Sequence, residues 1–234
     1  MDLNADLGES WERWRSGEDI ALLDVVTSAN VCCGAYAGDA DLMLATCEAA
    51  VERGVAIGAQ VGYPDREGFG RVALDLDDAA LIETVRAQID ALAAEADAAG
   101  GSLSYVKPHG ALYNTIVSDQ RQAAAVVEAV IAYGLPLLGL PGSALLRLAA
   151  AEGLPVVPEG FADRVYASDV TLVPRSEPGA VLESAVEAAT QTVSLIGRVE
   201  SICVHSDSPG ALETARAVRT ALERAGVTLT GLHA

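Results

Sequence analysis

The chain has 234 residues, 51% of them hydrophobic but only 4% aromatic, which suits one large α/β domain or two small ones with a core of Ala, Val and Leu. Its 33 Asp and Glu against 15 Lys and Arg leave a net charge of −18, which excludes a nucleic-acid binder working through a basic footprint. No apolar run reaches membrane-spanning length, no basic segment opens the chain as a secretory signal would, and Cys32, Cys33, Cys47 and Cys203 form no disulfide framework, so a reducing, cytoplasmic setting is expected.

Asp2 to Glu9 alternates polar and apolar residues, with Asp2, Asn4 and Asp6 on one face of a strand. That polar face makes it either a wet edge strand or the wall of a cavity. A short helix is expected over Glu18 to Val26 and a strand over Thr27 to Cys33. Asp39 N-caps a helix from Ala40 to Arg53 that stops at Gly54. A strand follows over Val55 to Gln60, then a Gly- and Pro-rich shaped loop to Arg71. The pattern continues with a helix over Asp77 to Ala99, a strand over Leu103 to His109, and a helix from the Asp119 cap to Tyr133. Next come a strand over Leu135 to Leu140, a helix over Ser143 to Glu152, a strand over Val156 to Glu159, and an irregular extension at Val170 to Pro174. A helix over Ala180 to Ile196, a strand over Glu200 to His205, a helix to Arg224 and a closing strand over Val227 to Leu232 complete the chain.

Alternating strands and helices predict parallel strands joined by right-handed crossovers in a single domain spanning 1–234. Neither GxGxxG after the first strand nor GxxxxGK[ST] is present, which argues against an open nucleotide-binding sheet. Polar residues gather instead at strand C-terminal ends: Asp6, Gln60, His109, Glu159 and His205. That is the pattern of a (β/α) barrel, here with about seven strands, carrying its site on the C-terminal face.

Lys107, the only lysine, and His109 stand two apart at one strand end and so share a face. A cation beside an imidazole can hold an anion or move a proton; the structural alternative is a surface turn beside a capping histidine. His205 and Asp207 form a second pair, readable as an acid/base unit, as ligands, or as a helix cap beside a core histidine. Asn4, Asp6 and Glu9 form a third group, with turn chemistry at Gly8 as its alternative.

In order along the chain stand Asp2-Leu-Asn-Ala-Asp-Leu-Gly-Glu9, Ala29-Asn-Val-Cys-Cys-Gly34 with Ala37-Gly-Asp39, and Gly62-Tyr-Pro-Asp65 with Gly68-Phe-Gly-Arg71. They are followed by Val106-Lys-Pro-His-Gly-Ala-Leu-Tyr-Asn114, Phe161-Ala-Asp-Arg164 and Val204-His-Ser-Asp-Ser-Pro209. Six such segments in this order resemble the LamB/YcsF family over nearly the whole chain. The resemblance implies an incomplete, TIM-like parallel (β/α) barrel of the polysaccharide-deacetylase type. It also implies ATP-dependent opening of 5-oxoproline (pyroglutamate) to L-glutamate, carried out with 5-oxoprolinase subunits B and C. Phosphorylating the lactam oxygen would turn it into a leaving group. On that reading Lys107 is the cation near phosphate and carboxylate, His109 or Asp6 the base for water, and His205 with Asp207 completes the pocket. Asn4, Asn30, Tyr36, Gln60, Arg71, Glu159 and Arg164 are the candidates for substrate binding. Without a P-loop, ATP phosphates would meet backbone N–H groups, Lys107, or Arg71, Arg164 and Arg175. Which chain binds ATP, and whether this chain self-associates, stay open.

Two positions depart from the family pattern. Tyr36 and Gln60 stand where the resemblance leads one to expect histidines, and in relatives those histidines with an acid could bind a divalent metal. Tyr and Gln are poor ligands for zinc-like ions, so no tightly bound transition metal is expected. Two other functions stay open: a metal-dependent deacetylase or amide hydrolase, and a non-catalytic binding relative.

Overall fold

The computed structural model describes residues 1–167, 171–175, 177–182, 184–208 and 210–232. Val170, Pro209 and His233 lie outside the described residues. Seven parallel strands follow one another around a closed barrel: β1 (Asp2–Leu7), β2 (Ser28–Cys32), β3 (Ala56–Val61), β4 (Leu103–Pro108), β5 (Leu137–Gly139), β6 (Val156–Phe161) and β7 (Ser201–Val204). β7 pairs back onto β1 with Asn4 opposite Cys203, so β1 has a neighbour on each side and is no edge strand.

The outer helices are α1 (Trp11–Ser16), α2 (Glu18–Leu23), α3 (Ala40–Arg53), α4 (Asp78–Ala98), α5 (Gly110–Thr115), α6 (Gln120–Ile131), α7 (Ala144–Ala151), α8 (Ala185–Leu195) and α9 (Ala211–Arg224). Side-chain caps set several starts. Asp39, Asp77, Asp119 and Ser143 accept from the backbone N–H of Leu42, Ala80, Gln122 and Leu146, each worth about 1 kcal/mol. Gly54, at φ 65°, ends α3 in the left-handed conformation.

The structure differs from the sequence-based expectation in four places. The short helix α1 is an addition; Ser10 caps it and Gly17 ends it, so it forms locally. α5 starts at Gly110, which the sequence suggests as a simple turn; a Cβ there would clash with the Gly70 carbonyl oxygen, so the loop after β3 packs directly on it. α8 starts at Ala185 rather than Ala180, because antiparallel bridges Arg164–Val181 and Tyr166–Leu172 hold the preceding residues in an excursion beyond β6. Val227 to Leu232 forms no strand. In a closed barrel no strand edge is free, so the tail runs past the strands' N-terminal ends, with Thr230 N–H on the Met1 carbonyl and Leu232 N–H on Ser28 Oγ.

Strand alternation sorts the core into two zones. Outward residues such as Leu3, Ala5, Leu7, Ala29, Val31, Val106 and Ile202 pack against the helices. The barrel interior is polar, where most such barrels stack branched apolar residues: Asp2, Asn4, Asp6, Ser28, Asn30, Gln60, Lys107, Glu159 and Ser201 are all buried. Gly58 makes room for Tyr105 across this interior, since a Cβ there would lie 2.1 Å from the Tyr105 ring.

Candidate active site at the C-terminal mouth of the barrel

Lys107 stands at the centre. β4 places it inward one residue before Pro108, and its side chain is only 3% exposed. Its ammonium meets Glu159 Oε1 at 2.8 Å, Asn4 Oδ1 at 3.1 Å, Cys203 Sγ at 3.0 Å and Asp6 Oδ1 at 3.5 Å. Those partners are held in turn. Asn4 donates to Glu159 at 3.0 Å and Ser201 at 2.7 Å, Asn30 donates to Asn4 at 2.7 Å and Asp6 at 2.8 Å, and the Tyr105 hydroxyl donates to Asn30 at 2.6 Å. Burial alone would lower the Lys107 pKa, but Asp6, Cys203 and Glu159 raise it well above the ordinary value. Burial would likewise raise Asp6, yet Lys107, His205 and His109 hold it below the usual carboxylate range. The ammonium is thus a fixed internal cation with two carboxylates around it. Asn4, Asn30 and Glu159 lie under the pocket floor and serve this network instead of facing a ligand.

Above the network opens a cavity of about 840 Å³ lined by Asp6, Arg71, Lys107, His109, Tyr113, Phe161, Arg164, Arg175 and His205, among others. His109 stacks on Tyr36 with ring centroids 4.3 Å apart, and its Nε2 lies 3.9 Å from Glu9 Oε1. Burial lowers its pKa to about 4, so it is neutral at pH 7. The Tyr36 hydroxyl donates to Gln60 Oε1 at 2.7 Å. The two residues that replace the expected histidines are therefore partners, buried beside His109 and not open to the cavity.

His205 pairs with Asp163, not with Asp207. Its Nδ1 lies 2.9 Å from Asp163 Oδ1, and its backbone N–H donates to Asp163 Oδ2 at 3.1 Å. The imidazole also stacks on Phe161 at 5.3 Å. An Nδ1–H that donates to Asp163 leaves the Nε2 lone pair free to take a proton. Asp207 serves another purpose. It accepts from Arg71 Nη2 at 2.5 Å and from Arg175 through both guanidinium nitrogens at 2.7 and 3.1 Å. Burial would raise its carboxyl, but these two guanidiniums hold it well below the ordinary range. Arg164 lines the cavity while donating to the carbonyls of Ala180 and Val173, which braces the excursion beyond β6.

The LamB/YcsF family model matches residues 1–234. The chain belongs to the LamB/YcsF family. It is 53% identical to a Streptomyces avermitilis protein named as the A subunit of 5-oxoprolinase, covering 97% of each chain. A lactam utilization protein from Thermus thermophilus superposes with a TM-score of 0.90 at 40% identity over 99% of both chains. A family 4 carbohydrate esterase from Streptomyces lividans matches at TM-score 0.55 and 14% identity, covering 99% of this chain and 90% of that one, and so shares the fold. The barrel is thus TIM-like, as the resemblance implies.

In this LamB/YcsF chain the residue that sequence reasoning missed is Asp163. The Phe161-Ala-Asp-Arg164 segment was the available signal, but its arginine is the more conspicuous candidate for a ligand. Among the described residues, two groups of donor atoms, each within 4.8 Å, are the places where a cation would find ligands: Asp6 with Glu9 and His109, and Asp6 with Cys203 and His205. Both share Asp6, which already faces the Lys107 ammonium. Among the described residues no helix is long and apolar enough to cross a membrane.

Glu9 yields a measurable consequence. Burial, reinforced by Asp6, Asp207 and Asp19, pushes its carboxyl well above the ordinary range. In the unfolded chain it ionises near pH 4.5, while in the folded chain it keeps its proton to higher pH. A raised carboxyl pKa therefore costs stability as pH rises above that unfolded value. The Glu9→Gln variant is expected to melt above wild type at pH 7.5, by about 2–4 °C for each kcal/mol recovered. The gap should narrow toward pH 5. Thermal melts across that range check the sign.

Proposed function

We propose that this chain is the A subunit of an ATP-dependent 5-oxoprolinase, a hydrolase that opens the cyclic amide of 5-oxoproline to L-glutamate together with B and C subunits. The observation that carries this reading is the 53% identity, over nearly the whole length, to a protein named as the A subunit of 5-oxoprolinase. The pocket suits the chemistry. Water adds to the lactam carbonyl carbon, the carbon–nitrogen bond breaks, and the ring nitrogen gains a proton. ATP, on this reading, first gives its terminal phosphoryl group to the amide oxygen and leaves as ADP; breaking the carbon–nitrogen bond then yields an acyl phosphate, from which a second water releases inorganic phosphate and L-glutamate.

His205 is the group placed to take the proton from water, because Asp163 engages Nδ1 and the ring faces the cavity. His109, kept neutral, offers a second nitrogen to the reacting group. Lys107 contributes a fixed positive charge beneath the site and holds Asp6 ionised. That charge, with the Tyr36–Gln60 pair, leads us to propose that the reaction runs without a tightly bound transition metal.

The test is ATP-dependent glutamate release from 5-oxoproline by the purified chain mixed with its B and C partners, with metal analysis of the same preparation. The expected result is release that requires all three subunits and ATP, with less than stoichiometric metal. A mixture that binds ATP yet leaves 5-oxoproline intact would refute the reading.

A further inference from the structure

The cations of this pocket divide into two kinds. Lys107, at the floor, is buried and already meets Glu159 and Asp6. Arg164 directs two of its nitrogens to backbone carbonyls. Arg71 and Arg175 stand at the mouth, with side chains 42% and 25% exposed, and among the described residues share the carboxylate of Asp207.

Both guanidiniums are set in place before any ligand arrives. The loop after β3 is tied by Asp65, which accepts from the N–H groups of Gly68 and Val72 at 2.9 and 3.0 Å. Phe69, in that loop, adopts φ 57°, a conformation that costs a non-glycine residue energy and that the surrounding contacts sustain. Its ring lies 5.2 Å from the Arg71 guanidinium. Arg175 comes from the excursion that Arg164 braces, and Asp207 reaches both arginines from the segment after β7.

We propose that Arg71 and Arg175 bind the carboxylate of the substrate at the rim, which turns its ring amide down toward His205. The proposal rests on the 5-oxoprolinase reading. A planar carboxylate matches the guanidinium fork, and a second carboxylate beside Asp207 gives each arginine one acid to face. Asp207 and His205 are two residues apart, so the anion site and the base lie side by side. In 5-oxoproline the carbon bearing the carboxylate and the carbonyl carbon flank the same ring nitrogen, which lets one small molecule span both. The floor, with Asp6 and Glu159 around one ammonium, offers no counterpart for an anion. The substrate therefore has one preferred orientation.

The same oxyanion chemistry would suit a nucleotide phosphate, and kinetics separates the two sources. The complex of this chain with B and C subunits is assayed as wild type, Arg71→Gln and Arg175→Gln, with Arg71→Lys and Arg175→Lys as charge-keeping controls and melting temperature as the check of folding. Uncharged 2-pyrrolidinone, the same ring without the carboxylate, serves as competitive inhibitor. The Gln variants are expected to raise KM for 5-oxoproline about 10–100-fold, the scale of one lost charged hydrogen-bonding group. The inhibition constant of 2-pyrrolidinone and the KM for ATP should move less than about twofold, and the Lys variants should recover part of the KM. An unchanged KM for 5-oxoproline, an equal loss of 2-pyrrolidinone inhibition, or a rise confined to the KM for ATP would each overturn the proposal. A wild-type complex that releases no glutamate would instead remove the 5-oxoprolinase reading, and the proposal with it.

Discussion

A Lys107→Met variant is expected to lose about 3–5 kcal/mol of stability, because it leaves buried acids without their cation. For a chain of this size that is a fall in melting temperature of roughly 6–20 °C, at about 2–4 °C per kcal/mol. The methionine keeps most of the side-chain volume, so the loss reports charge more than packing. Glu159 and Asp6 have Lys107 as their ammonium partner at 2.8 and 3.5 Å, and both are buried. The pH dependence distinguishes this cause from a packing defect. In wild type Asp6 is held below the ordinary carboxylate range, so its contribution is present at neutral pH and is lost as pH falls through the folded value. Without Lys107, burial raises Asp6, and acidification relieves the variant by protonating it. The deficit relative to wild type should therefore shrink as pH is lowered. Combining Lys107→Met with Glu159→Gln should restore part of the loss, since neutralising the orphaned acid removes the uncompensated charge. A deficit that is constant from pH 5 to pH 8 and insensitive to Glu159→Gln would mean that Lys107 acts as packing.

The second large effect concerns His205. His205→Asn is expected to reduce turnover by the assembled enzyme about 10²–10⁴-fold, the range for loss of a positioned general base, while KM for 5-oxoproline stays within about threefold. Asp163→Asn should fall in the same range, because the amide can donate to Nδ1 and so favour the tautomer with the proton on Nε2. Asp163 does not reach the substrate; it positions the imidazole. Nitrogen NMR of the His205 ring provides a reading independent of turnover: wild type should show the proton on Nδ1, and Asp163→Asn should shift it. A fully active His205→Asn enzyme would transfer the role of base to His109 or Asp6.

Much of the fold was legible because its signals are local. Asp39 before a helical pattern and Gly54 after it define α3 to the residue, and Asp119 does the same for the start of α6, while Asp77 and Ser143, expected inside their helices, cap them from one residue before. Strand period put Asn4 with Asp6 on one polar face and Lys107 with His109 on another; closure of the barrel makes the polar face of β1 inward. The LamB/YcsF segments brought Lys107, His109 and His205 to one end of the barrel. Less legible were the partnerships. In sequence His205 has an acid two residues away, and that spacing suggests Asp207. The structure gives Asp207 to Arg71 and Arg175, each from another loop, and gives His205 to Asp163. The Phe161-Ala-Asp-Arg164 segment marks Asp163 among 33 acidic residues, but nothing along the chain pairs it with His205. Only the pairing of β6 with β7, with Phe161 opposite Cys203, sets the two loops side by side.

The sequence by itself determined the alternation of strands and helices, some of their caps, the polar faces of the strands and the family. These depend on contacts within a few residues, where side-chain period and backbone hydrogen bonding decide. Tertiary structure alone decided that β7 returns to β1 and that the final residues become a tail. It also decided that Lys107 is enclosed by residues from β1, β6 and β7. The physical reason is the closure of the barrel: it leaves no free strand edge and brings charges distant in the chain within hydrogen-bonding distance, where burial makes each depend on its partner.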